Sequence, residues 1–274
     1  MAQGTGSTAA KTPAAAGKVR NIVSHIDERN ASGRLALAVY LVHGHPSVES
    51  SKQAFDALKG YDAIFECGLP ITTFRTPFTS DTVKRAHDVA AGTALSDETF
   101  LSFYAGYRPN MLMNTEDENR RAGDRLLKQL EGSIDSLITD NPELAAMLDR
   151  SHAGHDETLP LHVQYVSALS ETPERDFTPA PGDMLIYLGL ADRIGGELLP
   201  LERIQGAIDA IAAAAPHAKI LGGFGVRSAA DVAYIRRLHG IHGIAIGTEA
   251  MDRLEAGLPA FEGWLKEIDR ALAA

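Results

Sequence analysis

Short apolar runs of strand length alternate with helix-sized segments along the whole of this chain. The apolar runs are, in order, LALAVYLV, DAIFECGL, PNMLM, DSLIT, PLHVQYVSA, DMLIYLGL, KILGGFG and GIAIG. Because each run leads into a segment long enough for a crossover connection, the alternation predicts parallel strands joined by helices. Eight such units within 274 residues predict a (β/α)8 TIM barrel, whereas an open doubly wound sheet usually has fewer strands and a Gly-rich turn after the first.

The chain before the first apolar run divides into two parts. Residues 1–17 are rich in small residues and lack the continuous apolar core of a signal peptide, so they predict a disordered tail. The segment that follows repeats apolar residues at helical spacing from Val19 to Ile26, which predicts an N-terminal helix ahead of the barrel. The predicted organisation is a tail over residues 1–17 and a barrel domain over residues 18–274.

Charge and cysteine content exclude several classes of partner and site. The formal net charge of -10 has no compensating basic tract, which argues against nucleic acid and anionic membranes as partners. A single cysteine, Cys67, excludes an intramolecular disulfide and a cysteine-based zinc cage. With no run of 18 apolar residues, the sequence predicts a soluble, cytoplasmic protein with a small-molecule partner.

In a TIM barrel the working residues lie at the carboxyl ends of the strands and in the loops that follow. Applied to the predicted strands, this rule selects a short set of polar and small residues. In chain order they are His43 and His45, Glu66, Asn114 and Glu116, Asp140, Ser167, Tyr187, Gly222 to Ser228, and Gly247 to Glu249.

Glycine-rich turns follow the sixth, seventh and eighth predicted strands. They read DRIGGE, GGFGVRS and IGTEA, and loops seven and eight are where barrels commonly hold phosphate through backbone N–H groups and a helix N-terminus. Thr248 and Ser228 add hydroxyl donors, and Arg227 either adds a charge by turning inward or faces water at the start of a helix. The turns together predict a phosphate site.

Six motifs occur in a fixed order along the chain: HGHPSVE after the first strand, IFECGLP at the second, DSLITDNP at the fourth, YLGLADRIGG at the sixth, GGFGVRS at the seventh and IGTEA at the eighth. This ordered set resembles the α subunit of tryptophan synthase, a barrel that cleaves indole-3-glycerol phosphate to indole and glyceraldehyde 3-phosphate. The resemblance covers nearly the whole chain from about Lys18.

The resemblance implies a role for several strand-exit residues. Glu66 falls on the family's catalytic glutamate, a general acid and base at the indole ring, and Tyr187 falls on an active-site tyrosine. A carboxylate at the end of an apolar strand should be desolvated, which raises its pKa and suits proton transfer. The positions assigned to the phosphate are Gly196, Gly223, Gly225, Gly247 and Thr248, and Phe224 is assigned to the remaining pocket.

The resemblance fails in the loop after the second strand. The family carries a second catalytic carboxylate there, which interacts with the indole N–H. Here the loop reads PITTFRTPFTSD, with Arg75 at that position and no carboxylate between Glu66 and Asp81. A cation cannot accept a proton from the ring nitrogen, so Arg75 either binds an anionic group of an altered substrate or faces water. Asp81 is predicted to cap the next helix.

The loop after the first strand departs as well. His43 and His45 flank Gly44 where the family has alanine and aspartate. Joined by Glu66 or Asp140, the two histidines could form a metal site, or His45 could transfer protons opposite Glu66. We predict no metal, and we retain His45 as a catalytic candidate and His43 as a pocket residue.

Two further positions complete the predicted pocket. Asn114 takes the place of a larger family residue that faces the ring, and Asp140 matches a family aspartate at a D-x-P turn, where it fixes the loop or caps the next helix.

The sequence therefore predicts a lyase of the tryptophan synthase α type, without a cofactor, acting on indole-3-glycerol phosphate or an altered phosphorylated relative in specialised metabolism. A prenyltransferase on a phosphate-binding barrel and a non-catalytic α-like subunit that regulates a β-type partner subunit remain alternatives.

Overall fold

A computed structural model describes residues 22–68, 80–93, 97–114, 132–153 and 158–273 of the chain. The eight strands close in chain order into one parallel barrel, with the last strand paired to the first. The predicted (β/α)8 TIM barrel is therefore confirmed. The predicted tail, residues 1–17, lies outside the described ranges.

Each predicted apolar run matches one strand, and only β3 extends beyond its run, by the single residue Asn114. The strands are β1 Ala36–Leu41, β2 Ile64–Gly68, β3 Asn110–Asn114, β4 Ser136–Thr139, β5 Leu161–Ser167, β6 Leu185–Gly189, β7 Lys219–Gly223 and β8 Gly243–Ile246. The helices within the described ranges are α1 Ile22–Ala31, α2 Val48–Lys59, α3 Asp81–Ala91, α4 Asp97–Tyr104, α5 Pro142–Ala153, α6 Leu201–Ala214, α7 Ala229–Ile235, α8 Thr248–Glu255 and α9 Leu258–Leu272. No helix in these ranges is long and apolar enough to cross a membrane.

The predicted N-terminal helix, α1, closes one end of the barrel. Its buried residues Ile22 and Ile26 belong to the same apolar cluster as Ala36 and Ala38, which point inward near the start of β1. Because side chains alternate along a strand, Tyr40 also points inward, but at the opposite end. The carboxyl end of the barrel is therefore left for a functional site.

Three connections differ from the simple alternation. Helix α4 lies between α3 and β3 and was not predicted. After β5 the described connection contains a short 3-10 helix, Pro173–Arg175, because the proline-rich segment SETPERDFTPAPG cannot continue a regular α-helix. The closing segment consists of two helices, α8 and α9. The helix predicted after β3 lies outside the described residues.

Candidate active site

A cavity opens at the carboxyl end of the barrel, where the sequence predicts the site. Its walls come from β1, β2, β3, β6 and β8, from α3, and from the loops after β6, β7 and β8. The lining residues that bear on chemistry are Tyr40, Glu66, Tyr187, Gly195, Phe224, Gly225, Arg227, Gly247 and Thr248. The structure thus brings together residues that lie as far apart in the sequence as Tyr40 and Thr248.

Glu66 is the acidic group of this cavity among the described residues. It points inward from β2, where it pairs with Tyr40 of β1, and it is 1% exposed. Neither carboxylate oxygen has a hydrogen-bond partner among the described residues. Burial raises the pKa of Glu66 from 4.5 to about 8, because the ionised form loses its hydration. Glu66 is therefore mainly protonated at neutral pH, and it can both give and take a proton.

Aromatic rings form one wall of the cavity. Tyr187 points inward from β6, and its ring centroid lies 5.5 Å from that of Phe224. Gly223, the last residue of β7, lies beneath the Tyr187 ring, and a Cβ atom there would overlap the tyrosine hydroxyl. Gly223 therefore acts by making room for Tyr187, whereas its predicted role was phosphate binding.

Backbone geometry at the end of β7 shapes the same wall. Phe224 has a φ of 67°, a backbone conformation that residues other than glycine rarely adopt, and Gly225 follows with a φ of 82°. This conformation costs free energy for Phe224, although not for Gly225, and such residues are found mainly where the surrounding structure holds them in place. Here they turn the chain sharply, so that Phe224 and Gly225 both line the cavity.

One end of the cavity is suited to an anion. Gly247 is the N-cap residue of α8. Because it has no side chain, no side-chain hydrogen bond caps the first N–H groups of this helix. The N-terminus of a helix attracts negative charge. Thr248 Oγ1 lies 3.3 Å from Ser80 Oγ, which adds a second hydroxyl to this end. Ser80, not the predicted Asp81, caps α3.

Loop six contributes through Gly195 rather than through the predicted Gly196. Gly195 lines the cavity, whereas Gly196 is buried in the turn, where a Cβ atom would overlap the Asp192 carboxylate. The Arg227 guanidinium donates a hydrogen bond to the Gly195 carbonyl and so joins loops six and seven at the rim. The Arg227 carbonyl in turn accepts a hydrogen bond from Trp264 Nε1 at 2.9 Å.

The structure does not bring the two histidines of the first loop into the cavity. Beyond β1 the chain turns at Gly44, whose φ is 99°, and both side chains pack outside the barrel. The His43 ring stacks on Phe103 with centroids 4.0 Å apart, and burial lowers the pKa of His43 to about 4. His45 Nε2 lies 3.1 Å from Glu255 Oε1, and burial lowers the pKa of His45.

The remaining predicted residues lie elsewhere or outside the described ranges. Asp140 is exposed and lines a neighbouring groove, while the adjacent Asn141 accepts the backbone N–H groups at the start of α5. Asn114 ends β3, but its side chain lies outside the described part of the structure, as does Arg75. Within the described ranges, no group of three or more His, Cys, Asp or Glu side chains is placed to hold a metal ion.

Tyr40 is a lining residue that sequence reasoning missed. A tyrosine within an apolar strand usually packs in the core, so the residue type alone does not identify Tyr40 as part of a site. The available signal was its position: Tyr40 points inward near the end of β1 and pairs directly with Glu66.

Comparison with known proteins was informative only at the level of structure. No protein-family model matches the sequence, and no curated protein matches it. A structure of Mycobacterium tuberculosis tryptophan synthase is similar, with a TM-score of 0.76 and 22% identity over 93% of this chain and 99% of that chain.

Two further solved structures show the same similarity. Tryptophan synthase subunit alpha from Legionella pneumophila str. Paris has a TM-score of 0.72 and 18% identity, over 92% of this chain and 98% of that chain. A protein from Aquifex aeolicus VF5 has a TM-score of 0.74 and 20% identity, over 92% of this chain and 99% of that chain. The chain therefore has the fold of tryptophan synthase α chains, which confirms the resemblance noted in the sequence motifs.

Proposed function

We propose that this protein is a carbon–carbon lyase that cleaves indole-3-glycerol phosphate, or a related phosphorylated substrate, by a retro-aldol reaction. The observation that carries the proposal is one cavity that joins a buried, mainly protonated carboxyl group, Glu66, to an anion-binding end. That end is built from Gly247 and Thr248.

The two ends of the cavity divide the work of the reaction. The phosphate anchors at the start of α8, and the aromatic ring packs against Tyr187 and Phe224. Glu66 gives its proton to the ring carbon that carries the side chain, and the resulting carboxylate takes the proton of the adjacent hydroxyl group. The carbon–carbon bond then breaks, its electron pair returns to the ring, and an aldehyde leaves with the phosphate. Glu66 ends protonated, so no cofactor is needed.

The presence of Arg75 in the sequence favours a substrate that differs from that of the tryptophan synthase α subunit. It stands where that family has its second catalytic carboxylate, and it is suited to an additional anionic group on the substrate. For this reason we place the reaction in specialised metabolism, in the cytoplasm, and we keep a β-type partner subunit as part of the proposal.

The proposal is tested by measuring indole release from indole-3-glycerol phosphate by the purified protein. Glu66→Gln is expected to lower the rate by a factor of about 100 or more, whereas the matched control Glu262→Gln, on the exposed face of α9, should leave it unchanged. Equal rates for the wild type and Glu66→Gln would contradict the assignment of Glu66.

A second measurement distinguishes the alternatives. Trp264 is the only tryptophan of the chain and is bonded to the Arg227 carbonyl at the rim, so its fluorescence can report phosphate binding. Phosphate binding without indole release, together with a stable complex with a β-type subunit, would favour a non-catalytic α-like subunit. Metal-dependent binding of a prenyl diphosphate would favour a prenyltransferase.

A further inference from the structure

The hydroxyl group of Tyr40 reaches the point where the loop after β2 leaves the barrel. Tyr40 is 6% exposed and lines the same cavity as Glu66. Gly68, the last residue of β2, makes room for the phenol, since a Cβ atom there would overlap the Tyr40 hydroxyl. The tyrosine therefore presents a polar atom at the start of the loop that lacks the family's second carboxylate.

A histidine from the outer helix layer holds this hydroxyl in place. His87 lies on the buried face of α3 and is 1% exposed. Its Nε2 atom is 2.7 Å from Tyr40 Oη, which is a short hydrogen bond between two buried side chains. Gly68 is also needed for this pair, because a Cβ atom there would lie 2.9 Å from His87 Cε1.

We propose that Tyr40 is the second catalytic group of the cavity, which binds the ring N–H of the substrate, and that His87 is its positioning residue. This inference rests on the proposed lyase function. It follows from the position of the hydroxyl at the end of β2 and from the absence of a second acidic group among the described lining residues.

The pair supplies the proton transfer that a second carboxylate would otherwise perform. As Glu66 protonates the ring carbon, the ring nitrogen loses its proton to Tyr40 Oη, and the Tyr40 proton passes to His87 Nε2. When the carbon–carbon bond breaks, the electron pair returns to the ring, and both protons move back. No net proton is gained or lost, and no oxidant or metal takes part.

The first test compares the kinetics of Tyr40→Phe with those of Tyr104→Phe. Tyr104 is a matched control, because its buried hydroxyl donates to backbone carbonyls, including that of Met111 at 2.8 Å, and it does not line the cavity. Tyr40→Phe is expected to lower kcat by a factor of about 100 or more with little change in KM, and Tyr104→Phe should keep the wild-type kcat. A wild-type kcat in Tyr40→Phe, with the Glu66→Gln rate still depressed, would overturn the inference and leave the proposed function standing.

His87 is tested through its dependence on Tyr40. His87→Gln alone should lower kcat about tenfold, whereas adding it to Tyr40→Phe should lower kcat no further, since His87 acts through the Tyr40 hydroxyl. If the role of His87 were merely structural, His87→Gln would lower kcat by the same factor in the wild type and in Tyr40→Phe. That result would overturn the positioning role.

A binding experiment tests the contact between Tyr40 and the ring N–H independently of indole release. Indole and 1-methylindole are titrated, with inorganic phosphate present, into the wild type and Tyr40→Phe. The wild type should bind indole about fivefold more tightly than 1-methylindole, the effect of one neutral hydrogen bond, and Tyr40→Phe should lose this preference. Loss of the preference without turnover would refute the lyase but support the Tyr40 contact. Equal preference in both proteins, or no binding of indole by the wild type, would overturn the inference.

Discussion

Replacing Glu66 by glutamine is expected to stabilise the folded protein relative to the wild type by an amount that grows with pH. Burial raises the pKa of Glu66 from 4.5 to about 8 in the folded protein, while in the unfolded chain the carboxyl group has its ordinary pKa. Between these two values the folded state holds a proton that the unfolded state has released. The free energy of unfolding of the wild type therefore falls as pH rises through this window.

The size of the effect follows from the two pKa values. At about 1.4 kcal/mol for each pKa unit, the wild type loses about 3 kcal/mol between pH 4 and 7 and about 5 kcal/mol by pH 9. Glutamine has nearly the shape of the protonated side chain and does not titrate, so Glu66→Gln escapes this loss. Since every other group titrates in both proteins, the difference between their unfolding free energies isolates Glu66.

The assay is urea-induced unfolding of the wild type, Glu66→Gln and the exposed control Glu262→Gln at pH 4.5, 7 and 9. The advantage of Glu66→Gln over the wild type should grow across this series, while Glu262→Gln should track the wild type at every pH. A difference between Glu66→Gln and the wild type that stays constant with pH would refute the reasoning, because it would mean that the buried carboxyl group ionises at its ordinary pKa.

Two further predictions concern the wall and the anion-binding end of the cavity. Gly223→Ala should cost about 1–3 kcal/mol of stability and lower kcat, because the new methyl group displaces the Tyr187 ring; thermal unfolding checks this against Gly206→Ala in α6, where a Cβ atom has open space and a loss of stability would be unexpected. Thr248→Val should weaken binding of inorganic phosphate about tenfold, measured by Trp264 fluorescence, and an unchanged Kd would remove Thr248 from the site.

The parts of the cavity that sequence reasoning located share one property. Glu66, Tyr187 and Thr248 stand at the ends of apolar runs, and in a parallel barrel all strand ends meet at one face. Their convergence therefore follows from the alternation of strands and helices alone. The desolvation of Glu66 is equally predictable, since its strand neighbours are apolar and both faces of a barrel strand are covered.

The residues that sequence reasoning misplaced depend on how the chain turns after a strand. His43 and His45 follow β1 directly, yet the turn at Gly44 directs both side chains toward the outer helices. Gly195 and Gly196 are adjacent residues of the same type, but of the two only Gly195 lines the cavity. Such choices depend on single backbone dihedral angles, which the pattern of residue types does not specify.

The sequence by itself determined the barrel, the end of it that carries the cavity, and the buried carboxyl group of Glu66 that lines it, because strand periodicity and the order of strands are local properties of the chain. Only the tertiary structure decided that Tyr40 joins Glu66 in the cavity and bonds to His87 of α3. The physical reason is that this contact joins residues 47 positions apart through the packing of a helix on the barrel, and its space depends on the missing side chain of a third residue, Gly68.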